Sequence, residues 1–504
     1  MSWNDGYVSD LDYTKGYYSD FSTNRMKFAL NYAGFKAPNT EHAYELGIGY
    51  GLNIIFNATG STTKWYGNDF NPRHIAWAKD LNVNSDNIEI DDFSFEEMST
   101  QKLQKKLDYI CLHGIWTWIS TENQDCIKQF IYNNLSVGGV LYISYNVFPG
   151  WSDFLPIRYL MQRRLNESGS GVTEDAVNDV LIFAEKIITS SEKIKQNLPN
   201  LKKRIDGFKK QKHSYVAHEL LNKDWNLTDF GNISNSLREI KLDYAGSANL
   251  KDYIRQINFS EEQTDFLNSI HSLELRETAG DIVKNQAFRS EFWIRGALKL
   301  TRQERKHALD KYKFLMVKLY DGSELKLSGL RTSATLQNEI YAPILQALSD
   351  LKLKSVPEIK SEIQLNVSDD VLYEAMLILT AHGSILPVND LIAIEQVSDK
   401  VKCLNARIIE KTFAGDEINF LLSPVTGTGL AINKVEKIFI YAHHRKDEEI
   451  ISLVKETLIK LRENLVKDGK TFDVTKSAGD KLIRSMLRDF KSKHKLYQAL
   501  GLFL

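Results

Sequence analysis

Alternating glycines at Gly47, Gly49 and Gly51 form the stretch of this sequence best suited to binding a cofactor. The surrounding run, residues 42–55, reads as a short buried strand, a glycine loop and the start of an apolar helix near Leu52. Glycine permits positive φ and a close approach of the backbone to a ligand, and a helix start offers free N–H groups to it. The dinucleotide fingerprint G-x-G-x-x-G fails, because Leu52 occupies the position of its last glycine. An ordinary turn in an α/β protein is the alternative explanation of this loop.

The elements around the loop alternate between strand and helix signals. The predicted strands are 64–69, 87–90, 107–112 and 140–145, and the predicted helices are 24–32, 72–81 and 125–135. This alternation implies right-handed crossovers and a parallel sheet, so we expect a Rossmann-like α/β domain. Ligands of such sheets bind at the carboxyl ends of the strands, which is where the distinctive residues of this region lie.

Acidic residues follow two of these predicted strands. Asp69 ends the second strand, at about the distance from the glycine loop at which an acid binds ribose hydroxyls. A helix cap or a turn is the alternative role for Asp69. Asp92 and Phe93 follow the third strand, where an adenine could be hydrogen-bonded and covered, and a simple turn explains that pair equally well.

Composition limits the class of protein. The 504 residues predict roughly three domains, and 43% hydrophobic with 26% charged residues is ordinary for a globular protein. The net charge of -1 disfavours a nucleic-acid partner. Three cysteines without paired spacing predict neither a disulfide framework nor a zinc site. With no signal peptide or apolar run long enough for a membrane span, we expect a cytoplasmic protein.

The glycine loop and two later stretches of the sequence resemble known methyltransferases. The glycine loop, including Asn53, is similar to the first motif of class I S-adenosylmethionine methyltransferases. Residues 108–119 and 142–151 resemble a bacterial methyltransferase family whose members carry a regulatory domain, among them the rickettsial lysine methyltransferases of an outer-membrane protein. Its H-G-aromatic-x-W and S-Y-N-x-x-P-G-W signatures match Gly114, Trp118, Tyr145, Asn146, Pro149, Gly150 and Trp151.

The resemblance continues through the middle of the chain and weakens after about residue 300. Residues 218–225 match the family's H-E-x-L-N-x-x-W signature, and no second metal ligand stands four residues after His218. Residues 314–327 read as a hairpin around Asp321-Gly322, compatible with a small winged-helix-like unit. The predicted division is an N-terminal arm (1–40), a cofactor domain (41–165), a regulatory or middle domain (166–300) and two α+β domains (301–400 and 401–504).

The resemblance implies S-adenosylmethionine-dependent methylation of protein lysines. The acceptor could be an outer-membrane or surface protein, and the protein itself could form a homodimer. The cofactor contacts it implies are Glu45, Gly47, Gly49, Gly51, Asn53, Asp69, Phe70, Asp92, Phe93, His113 and Gly114. The catalytic candidates are His113, Tyr145, Asn146, Trp118, Tyr17 and Tyr18, with no metal. The alternatives are a small-molecule or nucleic-acid methyltransferase and an inactive binding protein of this fold.

The N-terminal arm is rich in tyrosine, with Tyr7, Tyr13, Tyr17 and Tyr18 ahead of the first predicted strand. Simple packing on the domain explains these residues, and a lid over the cofactor formed by residues 10–22 is the functional alternative. Aromatic faces near the transferred methyl would also suit a cationic product.

Replacing Asp69 tests the cofactor prediction. The variant Asp69→Ala removes a charged hydrogen-bond acceptor, and we expect it to weaken S-adenosylmethionine binding by about 1.5–3 kcal/mol. Calorimetry on the purified variant measures this change. An unchanged affinity would place Asp69 outside the site.

Overall fold

The computed structural model describes residues 6–82, 85–169, 171–416 and 418–504, and a seven-stranded sheet organises it. The strand order is β3-β2-β1-β4-β5-β7-β6. The first five strands run parallel, and β7 is antiparallel to both of its neighbours. The strands are β1 His42–Leu46, β2 Lys64–Asn68, β3 Ile88–Asp91, β4 Leu107–Leu112, β5 Leu135–Asn146, β6 Leu242–Ser247 and β7 Phe288–Arg295.

The parallel strands are joined by helices that cover both faces of the sheet. Pro72 stands in the first turn of its helix, where its missing N–H costs nothing, and the Asn71 side chain caps that helix by accepting the Arg73 N–H. The central strands β1 and β4 are almost wholly buried, as expected for a covered parallel sheet. The helices are α1 Thr23–Tyr32, α2 Leu52–Thr59, α3 Pro72–Leu81, α4 Phe95–Ser99 and α5 Thr121–Asn134. The predicted Rossmann-like sheet is confirmed.

A mostly helical region follows β5. Four of its helices, α7, α8, α10 and α11, enclose an apolar core of their own, while α12 packs beside α15 and β6. The helices are α6 Phe148–Trp151, α7 Leu155–Ser168, α8 Glu174–Ser190, α9 Glu192–Asn197, α10 Asn200–Phe208, α11 His213–Leu220, α12 Phe230–Glu239, α13 Arg255–Asn258, α14 Glu261–Ser269 and α15 Leu273–Lys284.

The sheet does not end at the predicted domain boundary after residue 165. Strands β6 and β7 come from residues 242–295, and seven consecutive residues of β7 pair with β5. Strand β5 therefore lies inside the sheet with a hydrogen-bonded neighbour on each side. Strands β6 and β7 of the middle region complete the sheet, and without them β5 would present an open edge.

The last two hundred residues form small sheets among helices. The elements are α16 Arg302–Asp310, β8 Lys313–Met316, β9 Lys326–Ser328, β10 Ser333–Thr335, α17 Asn338–Ala347, β11 Lys354–Ser355, α18 Val356–Glu362, α19 Asp369–His382, β12 Ile385–Pro387, α20 Leu391–Phe413, β13 Phe420–Ser423, β14 Thr428–Ala431, α21 Lys434–Arg445, α22 Ile450–Lys460, β15 Leu465–Lys467, β16 Lys470–Phe472, α23 Ser477–Ser492 and α24 His494–Ala499. Across the residues described, none of the helices is both long enough and apolar enough to cross a membrane.

The hairpin predicted at residues 314–327 is wrong. Strand β8 pairs with β11 on one side and β12 on the other, while β9 pairs with β10. Phe314, Leu315 and Met316 are all buried, and both edges of this strand are taken by strands distant in sequence, which a local turn signal does not reveal. A three-stranded antiparallel sheet among α16, α18 and α19 results, and the winged-helix-like description of it stays a prediction.

A buried arginine joins the middle region to the sheet. Arg289 on β7 donates to Glu291 at 2.5 Å, to Asp281 at 2.7 Å and to Glu277 at 2.9 Å. Burial alone would lower the pKa of Arg289, but the charges of Glu291 and Asp281 raise it, so the guanidinium stays ionised. The Tyr145 hydroxyl on β5 donates to the other oxygen of Glu291 at 2.9 Å.

Loss of this guanidinium should destabilise the protein strongly. We expect Arg289→Met to lower the free energy of unfolding by about 3–5 kcal/mol, because it leaves buried carboxylates uncompensated. Denaturant unfolding followed by tryptophan fluorescence measures the change. Arg302→Met is the matched control, since the Arg302 side chain is 94% exposed. Equal stability of the two variants would show that the network contributes nothing.

Candidate active site

A cleft of about 880 Å³ opens at the carboxyl ends of β1, β2 and β4. Its position matches the point where the strand order changes direction, between β1 and β4. The glycine loop forms one wall, the N-terminal arm forms another, and residues 223–224 after α11 close one end. A volume of this size suits a nucleotide-like ligand with room to spare.

The glycine loop adopts a backbone that other residues would strain. Gly47, Gly49 and Gly51 have φ of 63°, 54° and 71°. A Cβ at Gly47 would clash with the side chain of Ile115, so a larger residue would displace this part of the cleft wall. Gly51 precedes α2 without a side-chain cap, which leaves the first amide groups of the helix available to a ligand.

Asp69 holds the loop in place. Its carboxylate accepts the Gly49 N–H at 2.8 Å and the Asn71 N–H at 3.0 Å, and it lies 3.0 Å from Nδ1 of His74. Asp69 lines the cleft and fixes the geometry of the loop, and its contact with a ribose stays a prediction. His74 is buried beside Asp69, and no motif in the sequence predicts this contact.

Two polar oxygen atoms of the cleft are buried without a hydrogen-bond partner. They are Oε2 of Glu45 and Oδ1 of Asn68, and both residues line the cleft. Burial raises the pKa of Glu45 well above its usual range. Such atoms are costly to bury unpaired, so they are candidates for contacts with polar groups of a ligand.

Most of the predicted cofactor residues meet in this cleft. Asp92 does not, because its side chain is exposed to solvent, and Ser94, Phe95 and Glu96 line the wall after β3 instead. The predicted residues that line the cleft are Glu45, Gly47, Gly49, Gly51, Asn53, Asp69, Phe70, Phe93, His113 and Gly114. Their roles toward a cofactor stay predictions.

His113 lies at the end of β4 in a stack of rings. Its Nδ1 lies 2.8 Å from the Tyr142 hydroxyl and 3.3 Å from the Ser144 hydroxyl. The ring centroid is 4.1 Å from that of Tyr18. Burial lowers the pKa of His113 to about 4, so the imidazole is neutral at pH 7 and the cleft carries no positive charge there.

The structure separates the predicted catalytic residues. Trp118 and Tyr18 line the cleft, but Tyr17 packs against Phe56 and Phe420 on the other side of the extended arm. Tyr145 also lies outside the cleft, because its hydroxyl is directed to the buried Glu291. In both cases the alternation of side chains in an extended segment decides the direction.

Asn146 lies on the opposite face of β5 from Tyr145. Its amide donates to Oε1 of Glu219 at 3.4 Å, and its backbone N–H donates to Thr117. Asn146 thus contacts α11 and not the glycine loop. Glu219 was noted in the sequence only as part of a family signature, and its closeness to this strand end could not be read from spacing.

The arm contributes two further aromatic residues, Tyr7 and Tyr13, which are not among the predicted site residues. The Tyr13 ring lies 4.9 Å from His218, and Tyr7 lies 5.5 Å from the same ring. The Tyr18 N–H donates to Asn53 at 2.8 Å, which fastens the arm to the start of α2. In the described part of the chain, no group of three or more His, Cys, Asp or Glu side chains is arranged to hold a metal ion.

Comparisons with known proteins place the chain in a family. Over 480 residues it is 32% identical to the uncharacterised protein sll1526 of Synechocystis sp., a match that covers 94% of each chain. The chain belongs to the family of that protein. Its residues 212–295 match the model of a predicted methyltransferase regulatory domain. The uncharacterised protein RP789 of Rickettsia prowazekii is 26% identical over 290 residues, which are 56% of this chain and 51% of that protein.

A solved structure shares the fold of this chain over nearly the whole length of the chain. PKMT2 from Rickettsia typhi, in complex with AdoHcy, superposes with a TM-score of 0.69 at 18% identity, over 97% of this chain and 100% of that chain. A second PKMT2 structure gives a TM-score of 0.62 at 16% identity. The predicted class I methyltransferase fold with a regulatory domain, resembling the rickettsial proteins, is confirmed.

Proposed function

We propose that this protein transfers a methyl group from S-adenosylmethionine to lysine side chains of a protein acceptor. The observation that carries the proposal is the cleft, in which a glycine loop at the carboxyl end of β1 faces unpartnered polar atoms and aromatic side chains. The family resemblance supports the same reaction.

The cleft fits the proposed cofactor. The unpartnered Oε2 of Glu45 suits the ammonium group at the amino-acid end, and the carboxyl end of β2 with Asp69 suits the ribose. Phe93 and Phe95 would cover the adenine. When bound, the cofactor supplies an electrophilic methyl on a sulfonium, so the protein has mainly to position a nucleophile in line with it.

The residues of the chain itself position the reacting groups and exclude water from the cleft. The arm crosses the glycine loop, and the ring of Tyr13 lies 3.3 Å from where a Cβ on Gly49 would be. The neutral His113 places no cation beside a cationic sulfonium. An amine acceptor has a pKa of about 10.4 in water, and only its neutral form attacks, so the site must also remove a proton.

The rim of the cleft supports a long aliphatic acceptor. Tyr18 lines the cleft, and Phe288 lies next to the cleft residue His113; both are 37% exposed, and both rings pack on His113. An apolar rim of this kind suits the four-carbon stem of lysine, which can pack on rings while its charged end goes further in. We also propose that residues after 151 help to present the acceptor, since Lys223 and Asp224 form part of the wall.

Methyl transfer can be traced with methyl-labelled cofactor. Incubation of the full chain with labelled S-adenosylmethionine and a host lysate should label lysines of one or a few proteins, as read by mass spectrometry. The variant Asp69→Ala should lose most of the label, and Asp243→Ala, an exposed carboxylate on β6, should retain it. Label in RNA or small molecules would overturn the lysine assignment, and cofactor binding without any label would indicate an inactive binding protein.

The arm should respond to the cofactor. We expect residues 10–22 to exchange amide hydrogens more slowly when S-adenosylhomocysteine is added, because a ligand in the cleft would lie beneath Tyr13 and Gly16. Hydrogen exchange read by mass spectrometry measures this, with α23 at the far end of the chain as the internal reference. Equal exchange with and without ligand would contradict a lid.

A further inference from the structure

Helix α11 and the arm place one carboxylate among four phenols beside the cleft. Tyr215 and Glu219 lie four residues apart on α11 and so share a face. Tyr7, Tyr13 and Tyr18 come from the arm. We call these five residues the acceptor cluster.

The rings of Tyr7 and Tyr13 pack on His218, the neighbour of Glu219 on α11, with centroids 5.5 Å and 4.9 Å away. Burial raises the pKa of Tyr7, Tyr13, Tyr18 and Tyr215, and the charge of Glu219 raises each of them further. Glu219 is the carboxylate of the acceptor cluster and shares its helix with Tyr215.

The acceptor cluster adjoins the cofactor cleft. The indole N–H of Trp118 donates to the backbone carbonyl of Glu219 at 3.2 Å, and Trp118 lines the cleft. The Tyr13 hydroxyl lies 3.9 Å from the position of a Cβ on Gly114, at the end of β4. A group bound at Glu219 would therefore lie beside the part of the cleft wall that Trp118 and Tyr13 form.

The carboxylate of Glu219 is available to bind a cation. Its carboxylate accepts one long hydrogen bond, from Asn146 at 3.4 Å, and within the described residues it has no salt-bridge partner. Burial raises its pKa to about 7, against the opposing effects of Asn146, Arg158 and Arg204. A carboxylate with such a pKa can hold a cation and can also take up a proton at neutral pH.

The nearby arginines do not fill this role. Arg158 donates to the carbonyl of Asn222 and stacks on Trp225, with 4.7 Å between the guanidinium carbon and the ring centre. Arg204 donates to the carbonyl of Gly150 and stacks on Trp151 at 4.5 Å. Both are held by other partners, so the carboxylate remains free for an alkylammonium group from outside.

We propose that the acceptor cluster binds the ammonium group of the acceptor lysine, with Glu219 as its counter-ion and proton acceptor and the tyrosine rings around its stem. This inference rests on the proposed function and names the residue that performs its proton transfer. Carboxylate and aromatic faces together are the chemistry that recognises an alkylammonium.

The step balances in atoms and charge. The lysine ammonium gives one proton to the Glu219 carboxylate, which becomes a neutral acid. The neutral amine then forms a nitrogen–carbon bond to the methyl group as the carbon–sulfur bond breaks. The positive charge of the sulfonium passes to the methylated amine, and Glu219 returns its proton to solvent.

A binding experiment without cofactor tests the site. The probe is n-hexylammonium, with n-hexanol as its uncharged match, and the signal is the ¹⁵N-labelled indole N–H of Trp118. We expect Glu219→Gln to weaken hexylammonium binding at pH 8 by at least about tenfold, the loss typical of a charged hydrogen bond, and to leave hexanol binding unchanged. Glu262→Gln, an exposed change on α14, is the control for the loss of one charge.

Two further variants keep this test independent of folding. Glu219→Asp retains the carboxylate and should recover part of the binding. Tyr215→Phe removes one hydroxyl group on the same helix face and keeps the aromatic ring. Equal hexylammonium affinity of the wild-type protein and Glu219→Gln would overturn the site.

The pH profile of lysine methylation tests the proton transfer. The wild-type rate should rise through about pH 7 as Glu219 ionises, because only the carboxylate accepts a proton. The groups facing it do not follow that rise: the pKa of the tyrosines is raised, and burial lowers the pKa of His113 and of His218 to about 4. Burial also lowers the pKa of Arg158 to about 10, and lowers that of Arg204.

In Glu219→Gln the rise near pH 7 should disappear, and the remaining rate should increase only toward the pKa of the free amine. An unchanged profile would overturn the role as proton acceptor. S-adenosylhomocysteine affinity should be the same in both proteins. Hexylammonium binding through Glu219 without any lysine methylation would overturn the proposed function while supporting the alkylammonium site, so the two failures are distinguishable.

Discussion

The guanidinium of Arg289 is the buried charge on which the arrangement of this protein depends. Three carboxylates surround it, one from its own strand and two from α15, and a tyrosine of β5 binds the nearest of them. A buried charge is tolerated only when it is paired in this way. The network fits the observed register, in which β7 runs antiparallel beside β5 with Glu291 opposite Ile143.

The position of β7 between β5 and β6 also determines which elements reach the cleft. The segment between β5 and β6 must leave the sheet and return to it, and it does so as a helical body with its own core. That body carries α11 back to the carboxyl end of β5, where Glu219 meets Asn146. The match to a regulatory domain, residues 212–295, begins just before α11 and ends with β7. The region thus contributes both to the sheet and to the site.

The arm joins three parts of the chain. Asp12 accepts from the Tyr50 hydroxyl in the glycine loop, the carbonyl of Leu11 lies 3.0 Å from His218 of α11, and Lys15 pairs with Asp416 at 2.6 Å after α20. The C-terminal region is thereby connected to the cofactor side of the sheet. Since the contacts with His218 and Asp416 cross more than two hundred residues of sequence, the arm is ordered by tertiary structure and not by its own propensity.

Local pattern was sufficient for the first part of the fold and of the site. Alternating strand and helix signals, the glycines at 47, 49 and 51, and Asp69 at a strand end all depend on neighbours within about twenty residues, and the sheet confirms the predicted strands around them. Tertiary structure decided the rest. Tyr17 and Tyr18 could be told apart only by what packs on each side of the arm, and Tyr145 only by the buried Glu291. The acceptor cluster joins residues of the arm to residues about two hundred positions later, and no spacing in the sequence records a contact of that range, because folding and not periodicity brings such groups together.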